Sequence, residues 1–295
     1  MKSPVLSILF LLISVTLLAV PNDFRFRHFS VEDGLSSNSV RAIMQDKYGF
    51  LWIGTEEGLN RYDGIMIKSY SICPQAAGKY ISSLYGTKKN IWIGTDEGIY
   101  IYAYATETFT YFDLTTPNNV RITSIVNHIL QDKDGNLWFS TNGQGLFRYN
   151  LSKNYLEQYE FTSAFGIVAS TMADSDNQIW ALTNQGESGV YKLNKAENKF
   201  EPFGLLYNAG NHHSQALAML EDSEQTLWLG TWECGLQKID KYTRQTTTYL
   251  HPTDGKGVTH IHSLMEYAPH QLLIGSDDGL LLFNTLTEEY KLFTE

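Results

Sequence analysis

Histidines and paired carboxylates are the side chains of this sequence most suited to chemistry. Four histidines fall into two groups, and adjacent carboxylates occur at three places: His212/His213 and His260/His262, with Glu56/Glu57, Asp96/Glu97 and Asp277/Asp278. A zinc site needs three or four converging ligands, and a glycosidase needs two carboxyl groups facing each other across the scissile bond. Neighbours within one turn provide neither arrangement. We therefore interpret the carboxylates as solvated turn residues and the histidines as polar residues that satisfy backbone groups; a zinc site and a glycan-cleaving enzyme are the alternatives.

A recurring Gly-Thr-x-x-Gly motif is the second candidate for chemistry, and its first copy runs from Gly54 to Gly58. Glycine-rich loops that cradle phosphate lead into a helix and carry a lysine. Here the motif separates two apolar runs of strand character and carries no lysine. It is therefore interpreted as a hairpin turn, in which glycine supplies the backbone conformation.

The motif belongs to a longer repeat. The stretch Leu51–Asp63 (LWIGTEEGLNRYD) returns five more times with substitutions, and its anchor residues lie 40 to 48 residues apart: Trp52, Trp92, Trp138, Trp180, Trp228 and Leu273. A period of this length is typical of a four-stranded propeller blade and too long for a leucine-rich repeat. The runs around each anchor are apolar on both faces, which is expected when sheets stack radially and cover each other.

Each repeat reads as four strands with a turn signal between the first two. In the first repeat, Asp46 and Gly49 enclose a turn in which the carboxylate can accept backbone amides and glycine provides a positive φ. The same aspartate occurs in three other repeats, at Asp132, Asp174 and Asp222, whereas the second repeat has a shorter turn at Lys88–Asn90. After residue 20, no segment shows helical periodicity.

The sequence therefore predicts an all-β protein, a β-propeller of six four-stranded blades. The predicted blades cover residues 38–73, 80–114, 122–161, 167–204, 214–251 and 260–294, within a propeller domain spanning 24–295. Residues 24–30 resemble the outermost strands of the repeats. The chain therefore has seven segments of the outer-strand type but only six sets of three inner strands. We interpret the chain as an incomplete seven-bladed ring; a six-bladed ring with a redundant strand is the alternative.

In such a ring, the turns between second and third strands share one rim with the segments leading into the first strands. Trp232 occupies a rim position that holds a carboxylate in other repeats, so the fold does not require it. An indole there could stack on the apolar face of a sugar ring, or it could pack on a neighbouring loop. Other polar rim candidates for binding hydroxyl and carboxylate groups are Arg41, Arg121, Asn142, Gln144, Asn184, Gln185, Glu187, His212, His260 and His262. Arg41 could bind an acidic sugar or form an internal ion pair.

Composition and the first 20 residues restrict the location and the partners. The formal net charge is −10, from 22 basic and 32 acidic side chains, and such a surface repels nucleic acid. Lys2 precedes an apolar run from Val5 to Val20, which is typical of a secretory signal peptide or an N-terminal membrane anchor. Export to the periplasm is therefore predicted.

Three segments carry a resemblance to a known family. Phe29–Val40 (FSVEDGLSSNSV), Asp46–Thr55 (DKYGFLWIGT) and Gly58–Asp63 (GLNRYD) resemble the opening of two-component regulator propellers, the periplasmic sensors of hybrid histidine kinases in glycan-degrading bacteria. The resemblance covers 24–295. It implies two seven-bladed propellers and a small β-sandwich outside the membrane, then a membrane helix followed by kinase, receiver and DNA-binding domains. This chain departs from that pattern because it ends after six blades without a kinase motif, and it is expected to be an N-terminal fragment or a truncated gene product.

The predicted function is that of a non-catalytic periplasmic sensor for glycan-derived oligosaccharides, working without metal or cofactor. The expected partners are an oligosaccharide and the downstream propeller, β-sandwich and kinase domains of a longer homodimeric parent. A propeller lyase or glycosidase, and a protein-binding propeller without a sugar ligand, are the alternatives.

Overall fold

The computed structural model describes residues 24–73, 79–161, 166–183, 189–205, 215–250 and 258–293. In these residues 24 strands form six antiparallel four-stranded sheets, and every sheet uses four consecutive strands in chain order. One short 3-10 helix, Val31–Asp33, precedes the first strand. The predicted all-β architecture of six four-stranded blades in a ring is confirmed.

The strand bounds repeat from blade to blade with little variation. They are β1 Val40–Gln45, β2 Leu51–Thr55, β3 Gly58–Tyr62 and β4 Ile67–Tyr70 in blade 1; β5 Ile81–Gly86, β6 Asn90–Thr95, β7 Gly98–Ala103 and β8 Thr108–Tyr111 in blade 2; β9 Val126–Gln131, β10 Leu137–Thr141, β11 Leu146–Asn150 and β12 Tyr155–Tyr159 in blade 3; β13 Val168–Ala173, β14 Ile179–Thr183, β15 Val190–Asn194 and β16 Lys199–Pro202 in blade 4; β17 Ala216–Glu221, β18 Leu227–Thr231, β19 Leu236–Ile239 and β20 Thr246–Tyr249 in blade 5; and β21 Ile261–Ala268, β22 Gln271–Ser276, β23 Gly279–Asn284 and β24 Tyr290–Phe293 in blade 6. These strands lie within the six predicted blade ranges.

The repeated tryptophans form the cores between blades. Trp138 of blade 3, for example, is 1% exposed and packs in one cluster with Val168, Ile179 and Phe200 of blade 4. Equivalent clusters join blades 1 and 2, 2 and 3, 4 and 5, and 5 and 6. An indole buries about 150–250 Å², so each contributes about 4–6 kcal/mol of hydrophobic stabilisation.

The aspartate turn has a second role in addition to the predicted one. Asp132 accepts the Asn136 amide at 2.8 Å with one carboxylate oxygen and the Trp138 indole Nε1 at 2.8 Å with the other. The same indole bond joins aspartate and tryptophan in blades 1, 4 and 5 at 2.8, 3.0 and 2.7 Å. Blade 2 has no such aspartate, and the buried Nε1 of Trp92 has no hydrogen-bond partner among the residues that the structure describes. The turn signal therefore also satisfies the core tryptophan.

Glycine two residues after the tryptophan lets inner strands approach closely. A Cβ on Gly54 would lie 2.5 Å from Cγ2 of Ile81, in the first strand of the next blade. Blade 3 has Ser140 at this position, and its hydroxyl instead forms a 2.7 Å hydrogen bond with Thr171 of blade 4. Both the glycine of blade 1 and the serine of blade 3 therefore contribute to the contact with the next blade.

The junction between blades 6 and 1 differs from the other five. Inner strands of successive blades pack together from β1 to β21, whereas contact between β21 and β1 is slight at most. The N-terminal segment lies there instead: Phe24 contacts Phe293 of blade 6 with ring centroids 5.0 Å apart, and Arg27 donates to the Tyr62 hydroxyl of blade 1 at 2.9 Å.

Residues 24–30 have no strand conformation in the structure, and the segment contacts its neighbours through side chains. Its predicted role as the outer strand of a further blade stays a prediction. Apolar side chains stay exposed at the same junction, including Ile43 at 66% and Met265 at 53%. The seven-bladed interpretation remains a prediction.

The predicted leader at residues 1–20 lies outside the described residues. Within the described ranges, the structure contains no helix with the length and apolar character required to cross a membrane.

Candidate functional site

Backbone hydrogen bonds hold the rim turns beside the segments leading into the first strands. The amide of Trp232 donates to Gln215 O at 2.9 Å, and the equivalent amides of Glu56 and Asn142 donate to Ser39 O and Ile125 O at 3.1 and 2.9 Å. In all three blades, the same turn position is fixed against the chain that enters its own blade. In these blades, the turn between the second and third strands therefore lies beside the segment that leads into the first strand.

Four side chains from blades 5 and 6 meet on this rim, and we call them the Trp232 cluster: Trp232, His260, His262 and Asp277. The indole of Trp232 and the imidazole of His260 have ring centroids 3.9 Å apart and an interplanar angle of 37°. His260 Nδ1 and His262 Nε2 lie 2.5 and 2.7 Å from the two oxygens of Asp277. One carboxylate therefore orients both imidazoles.

Backbone geometry tightens this arrangement. The His260 amide donates to Trp232 O at 3.0 Å, which joins the turn of blade 5 to the start of blade 6. His260 itself adopts φ +49°, a left-handed conformation that is costly for most residues other than glycine. Hydrogen bonds from His260 and then His262 hold the pKa of Asp277 below its usual range. The carboxylate therefore stays ionised at neutral pH.

Of the two interpretations of Trp232, the structure shows packing on a neighbouring segment, and stacking on a sugar ring stays a prediction. It packs on a neighbouring segment through His260, and 39% of its surface remains exposed. An indole held in one orientation with an open surface can stack on an apolar ligand face, with ring nitrogens of the histidines nearby as donors or acceptors.

A cavity of about 500 Å³ is also lined by Asp277, between blade 6 and the N-terminal segment. Phe26, His28, Leu280 and Phe293 contribute to its walls. This volume is within the range of small-molecule pockets, and the mixture of aromatic and polar walls suits a ligand with both kinds of surface.

The two rim arginines form internal ion pairs. Arg41 pairs with Glu56 of its own blade, which raises the pKa of Arg41 and lowers that of Glu56 through their hydrogen bond. Arg121 pairs with Asp113 at 2.8 Å. Of the two possibilities for Arg41, the structure shows the internal ion pair.

Asn142 and Gln144 serve the turn itself. Asn142 forms an isolated backbone bridge with Ile167 of the next blade. The Gln144 side chain accepts from the amides of Thr123 and Ser124 at 2.9 and 3.0 Å and donates to Arg121 O at 2.9 Å. Its amide group therefore holds the segment leading into blade 3, and neither residue lies in the Trp232 cluster.

The remaining candidates Asn184, Gln185, Glu187 and His212 lie outside the described residues. Among the side chains that the structure does describe, no three ligating groups come together in a way that could hold a metal ion.

Asp277 is the cluster member that the sequence did not single out. It appeared only as one of several turn carboxylates. The repeat alignment could have identified it. Asp277 occupies in blade 6 the repeat position that Trp232 occupies in blade 5, and adjacent blades place these positions side by side.

Comparison with known proteins agrees with this architecture. Residues 34–57 and 120–143 match the family model of the two component regulator propeller. Histidine kinase P4 of Formosa agariphila is 46% identical over 68 residues, which cover 23% of this chain and 5% of that protein. This chain therefore spans only a small part of the curated relative that it matches.

Solved structures share the fold at low identity. The extracellular domains of two hybrid two component systems from B. thetaiotaomicron superpose with TM-scores of 0.75 and 0.72, each at 23% identity. The two superpositions include 91% and 87% of this chain, but only 36% and 33% of the solved structures. A virginiamycin B lyase from Staphylococcus aureus superposes with a TM-score of 0.68 at 15% identity, covering 86% of this chain and 83% of the lyase.

The six repeats, the blade architecture and the family match agree with one another. The resemblance inferred from the sequence is confirmed as a similarity: residues 34–57 and 120–143 match the two component regulator propeller model, and the fold is shared with the extracellular domains of hybrid two component systems.

Proposed function

We propose that this chain is the ligand-sensing propeller of a hybrid two-component system, and that it binds an oligosaccharide at the Trp232 cluster without chemistry. The observation that carries the proposal is an indole, 39% exposed, at a rim position that holds a carboxylate in blades 1, 2 and 6. The fold does not need an aromatic ring there, and the His260 contact holds the ring in place.

The chemistry of the cluster suits a sugar. An aromatic face accepts the apolar side of a pyranose, while oriented polar groups bind the hydroxyls. Asp277 fixes both histidines, so their remaining ring nitrogens have defined directions. This preorganisation lowers the ordering cost of binding.

Signalling requires that the ligand favour one arrangement of the receptor over another. Five packed cores join the blades, so the ring is stiff and the moving element belongs to its contact with other domains. The proposed parent is an exported, homodimeric hybrid sensor kinase that regulates polysaccharide use, with a signal peptide or anchor before residue 24 and further propeller, β-sandwich and kinase domains.

Titration calorimetry with a panel of glycan fragments tests the proposal. Wild-type protein should release heat with at least one oligosaccharide and yield no product, and Trp232→Ala should weaken that binding about tenfold or more, equivalent to about 1.4 kcal/mol. Tyr155→Ala is the matched control, because Tyr155 is 45% exposed on an outer strand of blade 3. Absence of heat across the panel, or equal binding by Trp232→Ala, would reject the site.

An enzymatic function is the second candidate, because a histidine oriented by a carboxylate is a common general base. The His260–Asp277 pair has this geometry, and a lyase shares the fold. Product formation from any fragment, abolished by His260→Asn, would favour the enzyme over the sensor.

A further inference from the structure

The cleft between blades 4 and 5, at the ends of their two outer strands, is distinct from the Trp232 rim. The turns between third and fourth strands lie at the opposite end of each blade from the turns that carry Trp232 and Asp277. A cavity of about 550 Å³ opens there, lined by Lys192, Lys195 and Glu201 of blade 4 and by Lys241, Tyr242 and Arg244 of blade 5.

The charge of this cavity is unusual for the molecule. Four cations and one carboxylate are among its lining residues, although the whole chain carries a net charge of −10. Lys241 is neutralised by Glu221. Lys192, Lys195 and Arg244 form no ion pair with any residue that the structure describes, and a cation-lined cleft attracts anions from solution.

In the equivalent cleft between blades 3 and 4, the side chains at the corresponding positions bind one another. There, Arg148 pairs with Glu157 at 2.5 Å, and Glu157 accepts from Asn198 of the next blade at 2.7 Å. The Tyr159 hydroxyl completes the network with a 2.7 Å bond to Asn198 Oδ1. Arg148 and Glu157 therefore neutralise each other, and Asn198 bridges the two blades.

Three of these positions differ in the cleft between blades 4 and 5. By strand register, Lys192 and Glu201 correspond to Arg148 and Glu157; the turn residue corresponding to Asn198 is Arg244, and both have positive φ. Phe203 replaces Tyr159 and offers no hydroxyl. The guanidinium of Arg244 lies 5.4 Å from the Phe203 ring, and Lys192 Nζ lies 5.3 Å from the Trp180 ring. The substitutions thus add a cation, remove the neutral bridge and leave the cleft open.

Tyr242 provides the second recognition element. It lies at the tip of the turn between β19 and β20, lines the cavity and is 90% exposed. A tyrosine ring that is this exposed does not contribute to the packing of the hydrophobic core. Its ring is placed to lie against the uncharged body of a ligand whose anionic group reaches the cations.

We propose that this cleft is a binding site for a ligand with a carboxylate or sulfate group, held by Lys192, Lys195 and Arg244 and covered by Tyr242. Arginine binds such planar or tetrahedral oxyanions through paired donors, and lysine contributes as a point charge. The site is independent of the Trp232 cluster, so either can exist without the other.

Calorimetry with sodium sulfate, a uronic acid disaccharide and a neutral disaccharide tests this proposal. The uronate should bind and the neutral sugar should not, sulfate should compete with the uronate, and affinity should fall as sodium chloride is raised. Binding of sulfate alone would restrict the site to an inorganic anion and contradict the role of Tyr242.

Two variants and one control locate the site. Arg244→Gln and Lys192→Met should each weaken uronate binding about tenfold or more, as expected for the loss of a charge-assisted bond; methionine keeps the aliphatic stem against Trp180. Lys153→Gln, on the equivalent turn of blade 3, should bind like the wild type. Circular dichroism checks that each variant is folded. Equal binding by all four proteins, or none by wild type, would overturn the proposal.

Discussion

At the scale of single residues, the core tryptophans are not equivalent. Trp92 and Trp138 are both almost fully buried, at 3% and 1% exposure. Only Trp138 has an acceptor for its indole N–H, in Asp132. In each blade that has the turn aspartate, a hydrogen bond therefore links the turn to the core tryptophan. Blade 2 lacks this hydrogen bond.

This difference predicts unequal costs for the same substitution. Trp138→Phe should destabilise the protein by about 1–2 kcal/mol more than Trp92→Phe, because it also removes a hydrogen bond to a buried carboxylate. Urea unfolding of both variants measures the difference. Equal losses would show that the indole bond contributes no net stability.

His128 predicts a dependence of stability on pH. Burial lowers the pKa of His128 from 6.5 to about 4, and its Nδ1 accepts the Thr171 amide at 3.4 Å. The unfolded chain therefore binds this proton first as the pH falls. The contribution is fully present above pH 6.5 and is lost as the pH decreases to 4, with a magnitude of up to about 3 kcal/mol.

Unfolding measured between pH 7 and 4 checks this expectation. His128→Gln keeps a side-chain acceptor but does not titrate, so its stability should vary less with pH than that of the wild type. Parallel curves for the two proteins would assign the acid sensitivity to other groups.

At the scale of the strand, several contacts between blades depend on a glycine two residues after the anchor residue of the repeat, as at Gly54 and Gly230. A Cβ on Gly230 would lie 2.6 Å from Cγ2 and 3.0 Å from the carbonyl oxygen of Ile261 in blade 6. A Cβ on Gly275 would meet only the Ser263 hydroxyl of its own blade at 2.4 Å, with the Ser263 Cβ at 3.7 Å. A hydroxyl can rotate away, whereas a packed strand cannot.

We therefore expect Gly230→Ala to destabilise the protein by about 1–3 kcal/mol through overpacking, and Gly275→Ala by less than about 1 kcal/mol. Thermal and urea unfolding of both variants provide the comparison. A larger loss in Gly275→Ala would mean that blade 6 tolerates less change than its contacts indicate.

At the scale of the whole molecule, the junction between blades 6 and 1 limits the stability of the ring. Five junctions have hydrophobic cores, whereas here the aromatic rings of the N-terminal segment make the contact. Phe24 lies 5.0 Å from Phe293 and 5.5 Å from Tyr267, measured between ring centroids. Blade 6 is thus packed on one side by blade 5 and on the other mainly by this segment.

Phe24→Ala should loosen blade 6 before the rest of the ring, at a cost of about 0.5–1.5 kcal/mol for each aromatic pair lost. Hydrogen exchange should accelerate in β21–β24 and remain unchanged in blades 2 to 4. Tyr242→Ala, which removes a ring that is 90% exposed, is the control and should leave exchange in blade 6 unaltered. Uniform acceleration in every blade would contradict a weak junction.

Repetition explains how much of this protein can be deduced without coordinates. Turn aspartates, glycines and apolar runs are local signals, and their recurrence over six repeats establishes the blade, the number of repeats and the rim to which Trp232 belongs. Contacts between repeats carry no such signal. That Trp232 packs on His260, and that Lys192 and Arg244 line one cavity, depend on how neighbouring blades meet in space. The segment at 24–30 shows the same limit: its residue pattern suits a strand, but a strand forms only where a neighbouring strand supplies hydrogen bonds.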